Sequence, residues 1–290
     1  MRFHWEAQGE ALWRAVRSGA YRLRAMQCWR THEGEQVAMW DAQDALVLKY
    51  VALKISACLP VHPRCEHLKG HGGRKASLHR IAAALEHGLG DEVMQFVCRT
   101  DIRGYYQHIR KPMLMNLLMR HVDDPCLLSV LEQYVYYSVE VGGEFHTPLT
   151  GIPRGCALSP LLGGALLYHI DEHFSHYSGL LYARYMDDFL LLSPRRWPLR
   201  RAIRDLNDFF DRSGFEKHPD KTMIGRLSRG FDWLGRDFND RGAQGVSARS
   251  LNKHRERCRR LYEQARRRGQ SERAAQQRVA MYRARWRVTV

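Results

Sequence analysis

Two adjacent carboxylates, Asp187 and Asp188, stand in the stretch Tyr182-Ala183-Arg184-Tyr185-Met186-Asp187-Asp188-Phe189-Leu190-Leu191-Leu192. Apolar runs at 180–182 and 189–192 read as strands, and the polar pair between them as a hairpin tip. Asp is also an ordinary turn former, so the pair alone has a bland reading. A third carboxylate, Asp101, ends the apolar run 94–101. It could cap the helix that follows, but the gap to that helix, 110–121, makes this less natural. Three carboxylates drawn to one spot raise one another's pKa and call for hard cations with oxygen ligands. Two Mg2+ ions about 4 Å apart, for which Mn2+ can substitute, would relieve that repulsion and hold both oxygens of an in-line phosphoryl transfer.

The flanking elements must bring these groups together. Between them lies Gly151-Ile152-Pro153-Arg154-Gly155-Cys156-Ala157-Leu158-Ser159-Pro160. It reads as a Gly-rich entry to one long helix through 174, with Ser159 as N-cap and Pro160 as its first residue. Upstream, the pattern predicts a helix near 5–16, a strand at 21–24, a hairpin over 26–40 and a helix at 42–59. A Gly- and His-rich loop follows, in which Lys69 and Arg74 can meet phosphates, and then a helix from 77 to 86. A helix at 123–137, a Gly-Gly hairpin at 137–147, an amphipathic helix at 198–213, a strand at 223–225 and a hairpin-like piece at 231–238 complete the core. From 247 the chain reads as helical and basic.

The formal net charge is +15 over 290 residues, which favours a polyanionic partner. Residues 247–290 hold 14 Lys or Arg against 3 Asp or Glu, a net of +11. A solvated helix face mixes signs, and this segment scarcely does, so nucleic acid is the expected partner. No run is long enough to cross a membrane, no apolar leader opens the chain, and seven cysteines without a Cys-x-x-Cys argue against a disulfide framework. A cytoplasmic location is expected. Cys58, His62, Cys65, His67 and His71 are possible zinc ligands, but their spacing fits no common finger, and a structural loop is the preferred reading.

These motifs together resemble a prokaryotic reverse transcriptase of the group II intron-like, retron or unclassified-retroelement kind. Tyr185-Met186-Asp187-Asp188 matches that family's Tyr-x-Asp-Asp box, and Asp101-Ile102 through Tyr105-Tyr106 and Ile109 its first palm motif. Residues 151–160 match its Pro-x-Gly motif, Glu216-Lys217 through Lys221-Thr222 the next palm motif, and Phe231, Leu234 and Gly235 its primer grip. The resemblance implies an α+β right-hand polymerase fold, with fingers at 1–92, a palm with an antiparallel sheet at 93–240 and a short helical thumb at 241–290. It implies that Asp101, the Ile102 carbonyl and Asp187 ligate metal, with Asp188 in support. Tyr106 would sit under the sugar and exclude a 2′-hydroxyl. Arg154 and Gly155 would meet the nucleotide, although the family often has Gln where Arg154 stands. Arg30 would touch the triphosphate, and the second basic position falls near Gln36-Val37. Lys221 is either an acid near the pyrophosphate or a strand-edge lysine. Lys69, Arg74, Phe231, Leu234 and Gly235 would contact template and primer.

The implied activity is RNA-templated DNA synthesis from deoxynucleoside triphosphates on a DNA or RNA primer. The chain shows no maturase extension or His-Asn-His nuclease, so self-contained intron mobility is not expected. Retroelement, repair and phage-defence settings with a dedicated noncoding RNA stay open. The alternatives are an RNA-dependent RNA polymerase, disfavoured by Tyr-x-Asp-Asp in place of Gly-Asp-Asp, and an inactive RNA-binding scaffold, disfavoured by the complete carboxylate set.

Overall fold

The computed structural model describes residues 5–30, 36–90 and 92–289. In chain order the elements are α1 (Trp5–Arg17), β1 (Met26–Arg30), β2 (Gln36–Met39), α2 (Ala42–Ile55), α3 (Gly73–His87), β3 (Phe96–Asp101), α4 (Tyr105–His108), α5 (Lys111–His121) and α6 (Pro125–Val135). There follow β4 (Val139–Val141), β5 (Glu144–His146), α7 (Leu158–Leu166), α8 (Tyr168–Ser175), β6 (Leu181–Tyr185), β7 (Asp188–Ser193) and α9 (Arg196–Ser213). The chain closes with β8 (Met223–Arg226), β9 (Phe231–Trp233), β10 (Arg236–Asn239), β11 (Gly242–Val246), α10 (Ala248–Arg267) and α11 (Glu272–Thr289).

The central sheet runs β6-β7-β3-β8, antiparallel throughout. Strand β7 explains its depth. A strand covered on both faces reads as an unbroken apolar run rather than an alternation, and Phe189 to Leu192 are all fully buried. Phe189 and Leu191 join the large core that includes Leu199, Ala202, Leu206 and Phe210 of α9. Leu190 and Leu192 point the other way, into a second core with Leu78, Ile81 and Leu85 of α3 and with Phe231, Trp233 and Phe238. The sheet is therefore a middle layer between helices and a second layer built from α3 and the β11-β10-β9 sheet. Helix α9 buries residues at helical spacing and stops at Gly214, whose φ of +72° is the left-handed cap that glycine favours.

Several local expectations are corrected. Residues 21–24 do not form a strand. The amides of Leu23 and Arg24 donate to the side chains of Gln133 and Asp44 instead of to a neighbouring strand. Helix α2 stops at Ile55, short of 59, and α3 begins at Gly73 rather than 77, so Arg74 and Lys75 are helical. Ser77 is a buried helix residue whose hydroxyl accepts from the Trp233 indole at 2.9 Å. The helix expected through 174 is two helices, broken at Leu167. Its start is Leu158, and Ser159 is no N-cap, since its hydroxyl donates back to the Pro153 carbonyl at 2.6 Å.

The two early hairpins are not separate. β1 pairs in parallel with β4, giving one sheet in the order β2-β1-β4-β5. The hairpin 139–146, grouped in the sequence with the palm, thus hydrogen-bonds to the N-terminal strands. Strand β11 pairs with β10, so that sheet runs across residue 240. The basic C-terminal segment is a helical hairpin, α10 against α11, opened by Ser247, which caps α10 by accepting from the Ser250 amide.

Candidate active site

The register of the central sheet sets the site. β3 and β7 place Asp101 directly opposite Asp188. The turn between β6 and β7 is Met186-Asp187, one residue earlier than the Asp187-Asp188 tip read from the sequence, because Tyr185 pairs with Asp188. Asp187 therefore sits on the turn and Asp188 on the first strand position. The Ile102 amide donates to the Asp187 carbonyl at 3.1 Å, which ties the end of β3 to the turn.

Each carboxylate has a distinct environment. Asp101 is buried; its Oδ2 accepts from Lys221 Nζ at 2.5 Å, while Oδ1 has no hydrogen-bond partner among the described residues. Asp188 accepts from Arg99 at 3.0 Å, on the same face of β3 two residues before Asp101. Burial pushes the Asp188 carboxyl up to about 6; Arg99 opposes the rise, and Asp187 and Asp101 add to it. Burial also raises Asp187, with Asp101 contributing. Among the described residues no group of three or more His, Cys, Asp or Glu side chains is gathered as a ready metal cage. Even so, the donor set fits a divalent cation. The carboxylates repel one another, one buried oxygen lacks a partner among the described residues, and Lys221 and Arg99 supply only part of the positive charge.

The neighbouring residues are placed as follows. Tyr105 is core: its hydroxyl donates to the Gly163 carbonyl at 2.7 Å. Tyr106 is only partly buried, and its hydroxyl proton is held more tightly through burial and the nearby Asp187. The 151–155 segment lies against α4, with the Ile152 amide donating to the Tyr106 carbonyl at 2.9 Å. A Cβ at Gly151 would come within 2.8 Å of the Tyr106 and Gln107 carbonyl oxygens, so only glycine fits this approach. Arg154 and Gly155 are exposed at the turn that enters α7.

The structure does not gather all the sequence candidates. Arg74 is a bolt between layers, its Nε donating to the Leu234 carbonyl at 2.9 Å. Leu234 takes a left-handed φ of +48°, and a Cβ on Gly235 would lie 2.4 Å from Ser250 Oγ, so this turn abuts the start of α10. Phe231 is buried and stacked on Phe238 rather than presented to a ligand. Lys69 is exposed on the loop before α3. Arg30 ends β1, and its side chain lies outside the described residues. Cys58 is exposed and His62 faces Glu172 at 3.6 Å, while His67 and His71 hydrogen-bond to main-chain carbonyls of Pro160 and Cys65.

Sequence reasoning missed Arg99, Arg184 and Asp171. Arg184 is fully buried on β6 and ion-paired with Asp171 of α8, and it also donates to the carbonyls of Met186 and Gly164. Its position three residues before Asp187 was a usable signal, since a long charged side chain inside a buried strand needs a buried partner.

A model of the reverse transcriptase (RNA-dependent DNA polymerase) family matches residues 81–238, more than half the chain. The chain belongs to that family, and its α+β architecture is the polymerase fold expected from the motifs. Among solved structures it is similar to telomerase from Candida albicans in complex with a TWJ fragment of telomeric RNA. The TM-score is 0.58 at 14% identity, over 84% of this chain and 51% of that one. Apo telomerase from Candida tropicalis gives a TM-score of 0.51 at 12% identity, over 71% and 40%. The chain thus spans about half the length of these structures or less, and at such identity the likeness is one of fold. No curated protein sequence matches it.

Proposed function

We propose that this chain is an RNA-directed DNA polymerase of the prokaryotic retroelement-related type, extending a DNA or RNA primer on an RNA template. The observation that carries this is the register that sets Asp101 against Asp188 and ties Asp187 to the end of β3, within the matched family region. Asp101, Asp187 and the Ile102 carbonyl would hold the divalent ions, Mg2+ by preference, with Asp188 beside them. When bound, such ions stabilise charge on the transferring phosphoryl group and activate the attacking hydroxyl.

The chain's own groups do the rest. Lys221 Nζ donates to Asp101 Oδ2 at 2.5 Å and would serve as the acid for a departing pyrophosphate. Arg154, exposed on the turn into α7, can meet the nucleotide's phosphates. Tyr106, partly buried beside Gly163 of α7 and near enough to Asp187 to feel its charge, would stand under the sugar and exclude a 2′-hydroxyl. The basic α10–α11 hairpin supplies phosphate contacts for template and primer. A retroelement or phage-defence setting with a dedicated noncoding RNA is compatible with this machinery.

Primer extension on an RNA template is the test. Asp187→Asn and Asp101→Asn should each lower synthesis by about 10³-fold or more, several kcal/mol of transition-state stabilisation, while RNA binding is kept. In the same assay, Tyr106→Val should admit ribonucleotides and Tyr105→Phe should not. Retained synthesis in either Asp variant would remove the proposed site, and an unchanged sugar preference in active Tyr106→Val would move the gate elsewhere.

A further inference from the structure

Met186, the first residue of the carboxylate turn, has a φ of +59°. A non-glycine residue in the left-handed region costs on the order of 1 kcal/mol or more and persists only where its surroundings over-determine it. Both of its backbone polar groups are held by side chains. Arg184 Nη1 donates to its carbonyl at 2.8 Å, and its amide donates to His67 Nδ1 at 3.0 Å.

We infer that His67 is a positioning residue of the polymerase site, fixing the Met186-Asp187 turn and coupling it to the start of α7. This rests on the reading of Asp187 given above. The second ring nitrogen makes the coupling: Nε2 lies 3.0 Å from the carbonyl of Pro160, in the first turn of α7. A carbonyl needs a donor and an amide needs an acceptor, so the two contacts fix one neutral tautomer, with the proton on Nε2. The Cys65 thiol, 3.5 Å from Nδ1, is consistent with this, since burial keeps it protonated and able to donate. Burial also keeps the ring neutral, pushing His67 down to about 4.

The loop that carries His67 is anchored. The Glu66 amide donates to the Arg184 carbonyl and the Arg184 amide to the Arg64 carbonyl, so 64–66 runs along the free edge of β6. The Glu66 carboxylate is in turn held by Arg80 of α3. The fit against α7 is close: a Cβ at Gly164 would stand 3.1 Å from Leu68 Cδ1 and 3.2 Å from Cys65 Sγ. His67 therefore joins two parts of the proposed site, the metal-side turn and the helix entered through Arg154 and Gly155. Arg184 serves the same turn, but it is locked in a buried ion pair. The imidazole is the separable half of the clamp.

Two amides dissect the two contacts. Asn at 67 places its oxygen where Nδ1 lies and keeps an acceptor for Met186, while Gln places its nitrogen near Nε2 and keeps the donor to Pro160. A shift of about 1 Å at reacting groups costs roughly 10²-fold in rate. His67→Gln and His67→Phe should therefore lose about 10²-fold in turnover for primer extension, with the nucleotide KM little changed, and His67→Asn should recover most of that loss. Melting temperatures are measured for all three, and the Asn and Gln pair suffices if His67→Phe does not fold. Wild-type turnover in His67→Gln, or equal losses in Asn and Gln that track their melting temperatures, would overturn the inference. Asp187→Asn is run alongside. If it is inactive, such a failure belongs to the clamp alone; if it is active, the site reading itself has failed.

Discussion

The carboxylate turn and the C-terminal helical hairpin both depend on charge, but they use it in opposite ways. Around the turn, charges are few, buried or half-buried, and mostly held in pairs: Arg184 with Asp171, Arg99 with Asp188, Lys221 with Asp101. On the α10–α11 hairpin they are many, mostly of one sign and mostly exposed; Arg259 and Glu263 form an ion pair at 3.7 Å in which both side chains remain open to solvent. Buried charges act through geometry, since a misplaced partner leaves a desolvated ion behind. Exposed charges act through a summed field that salt screens. Single substitutions should therefore be severe in the first region and graded in the second.

The largest expected effect follows from breaking the buried pair. Asp171→Asn leaves the Arg184 guanidinium with no counter-charge where neither side chain is exposed to solvent. Removing one partner of such a pair typically costs about 3–5 kcal/mol. Tyr182 also donates to Asp171 at 2.6 Å, so the loss spreads along β6. Denaturant unfolding of the variant should show the drop as a lower midpoint at unchanged slope. A midpoint equal to that of the wild type would mean that the pair contributes nothing net and that the contrast with the hairpin is false.

A smaller effect, of opposite sign, is expected at Asp188. Its folded-state carboxyl is raised from 3.8 to about 6, so the folded chain binds this proton more tightly than the unfolded chain. The penalty is absent below the unfolded value and fully present above the folded one. With divalent ions chelated, stability should fall through this group as pH rises from about 4 to about 6. Asp188→Asn should remove that slope and gain about 1 kcal/mol at neutral pH, after allowance for partial solvent screening and for Arg99 losing its ion pair. Unfolding midpoints at acid and neutral pH check both statements. A variant less stable than the wild type at neutral pH would show that the Arg99 pair outweighs the repulsion. A site more stable without its charge is what a functional cluster leads one to expect.

These two regions were also unequally legible in the sequence. The carboxylate pair, the strand ending at Asp101 and the Gly-rich turn were readable because each is local: an apolar run, a turn signal, a charge. The turn was misplaced by one residue because register is set by pairing, and Tyr185 pairs with Asp188 only once β7 is fixed against β3. The pairing of β1 with β4 joins residues more than a hundred positions apart, which no periodicity reports. The false strand at 21–24 had the right alternation, but side chains of Gln133 and Asp44 claimed its amides. The roles of His67 and Arg184 were hidden for the same reason. Both hold the backbone of Met186, and no residue-type pattern shows which main-chain atom a side chain will meet. The helical hairpin, by contrast, announced itself through composition, and only its division into two helices needed the structure.

The smallest effect is expected where the charge is densest. Cys258, Leu261 and Val279 form the small core of the helical hairpin. Beside it is a groove of about 670 Å³, with Arg255, Arg259 and Arg283 on its walls. His254 stacks between Tyr282 and Trp286, with ring centroids 5.3 and 3.9 Å away, which stiffens the approach of the two helices. The three arginines are exposed, so replacing one by Gln should leave the fold intact. Removing an arginine that meets one phosphate should flatten the dependence of log affinity on log salt by about 0.7–0.9. Arg255→Gln and Arg283→Gln should each weaken template–primer binding only a few-fold at moderate salt, and the double variant should flatten the salt slope further than either. Salt titrations of binding to an RNA–DNA hybrid measure both the size and the slope. A single arginine whose replacement abolished binding, or a double variant with an unchanged slope, would place a specific contact where the comparison puts a diffuse field.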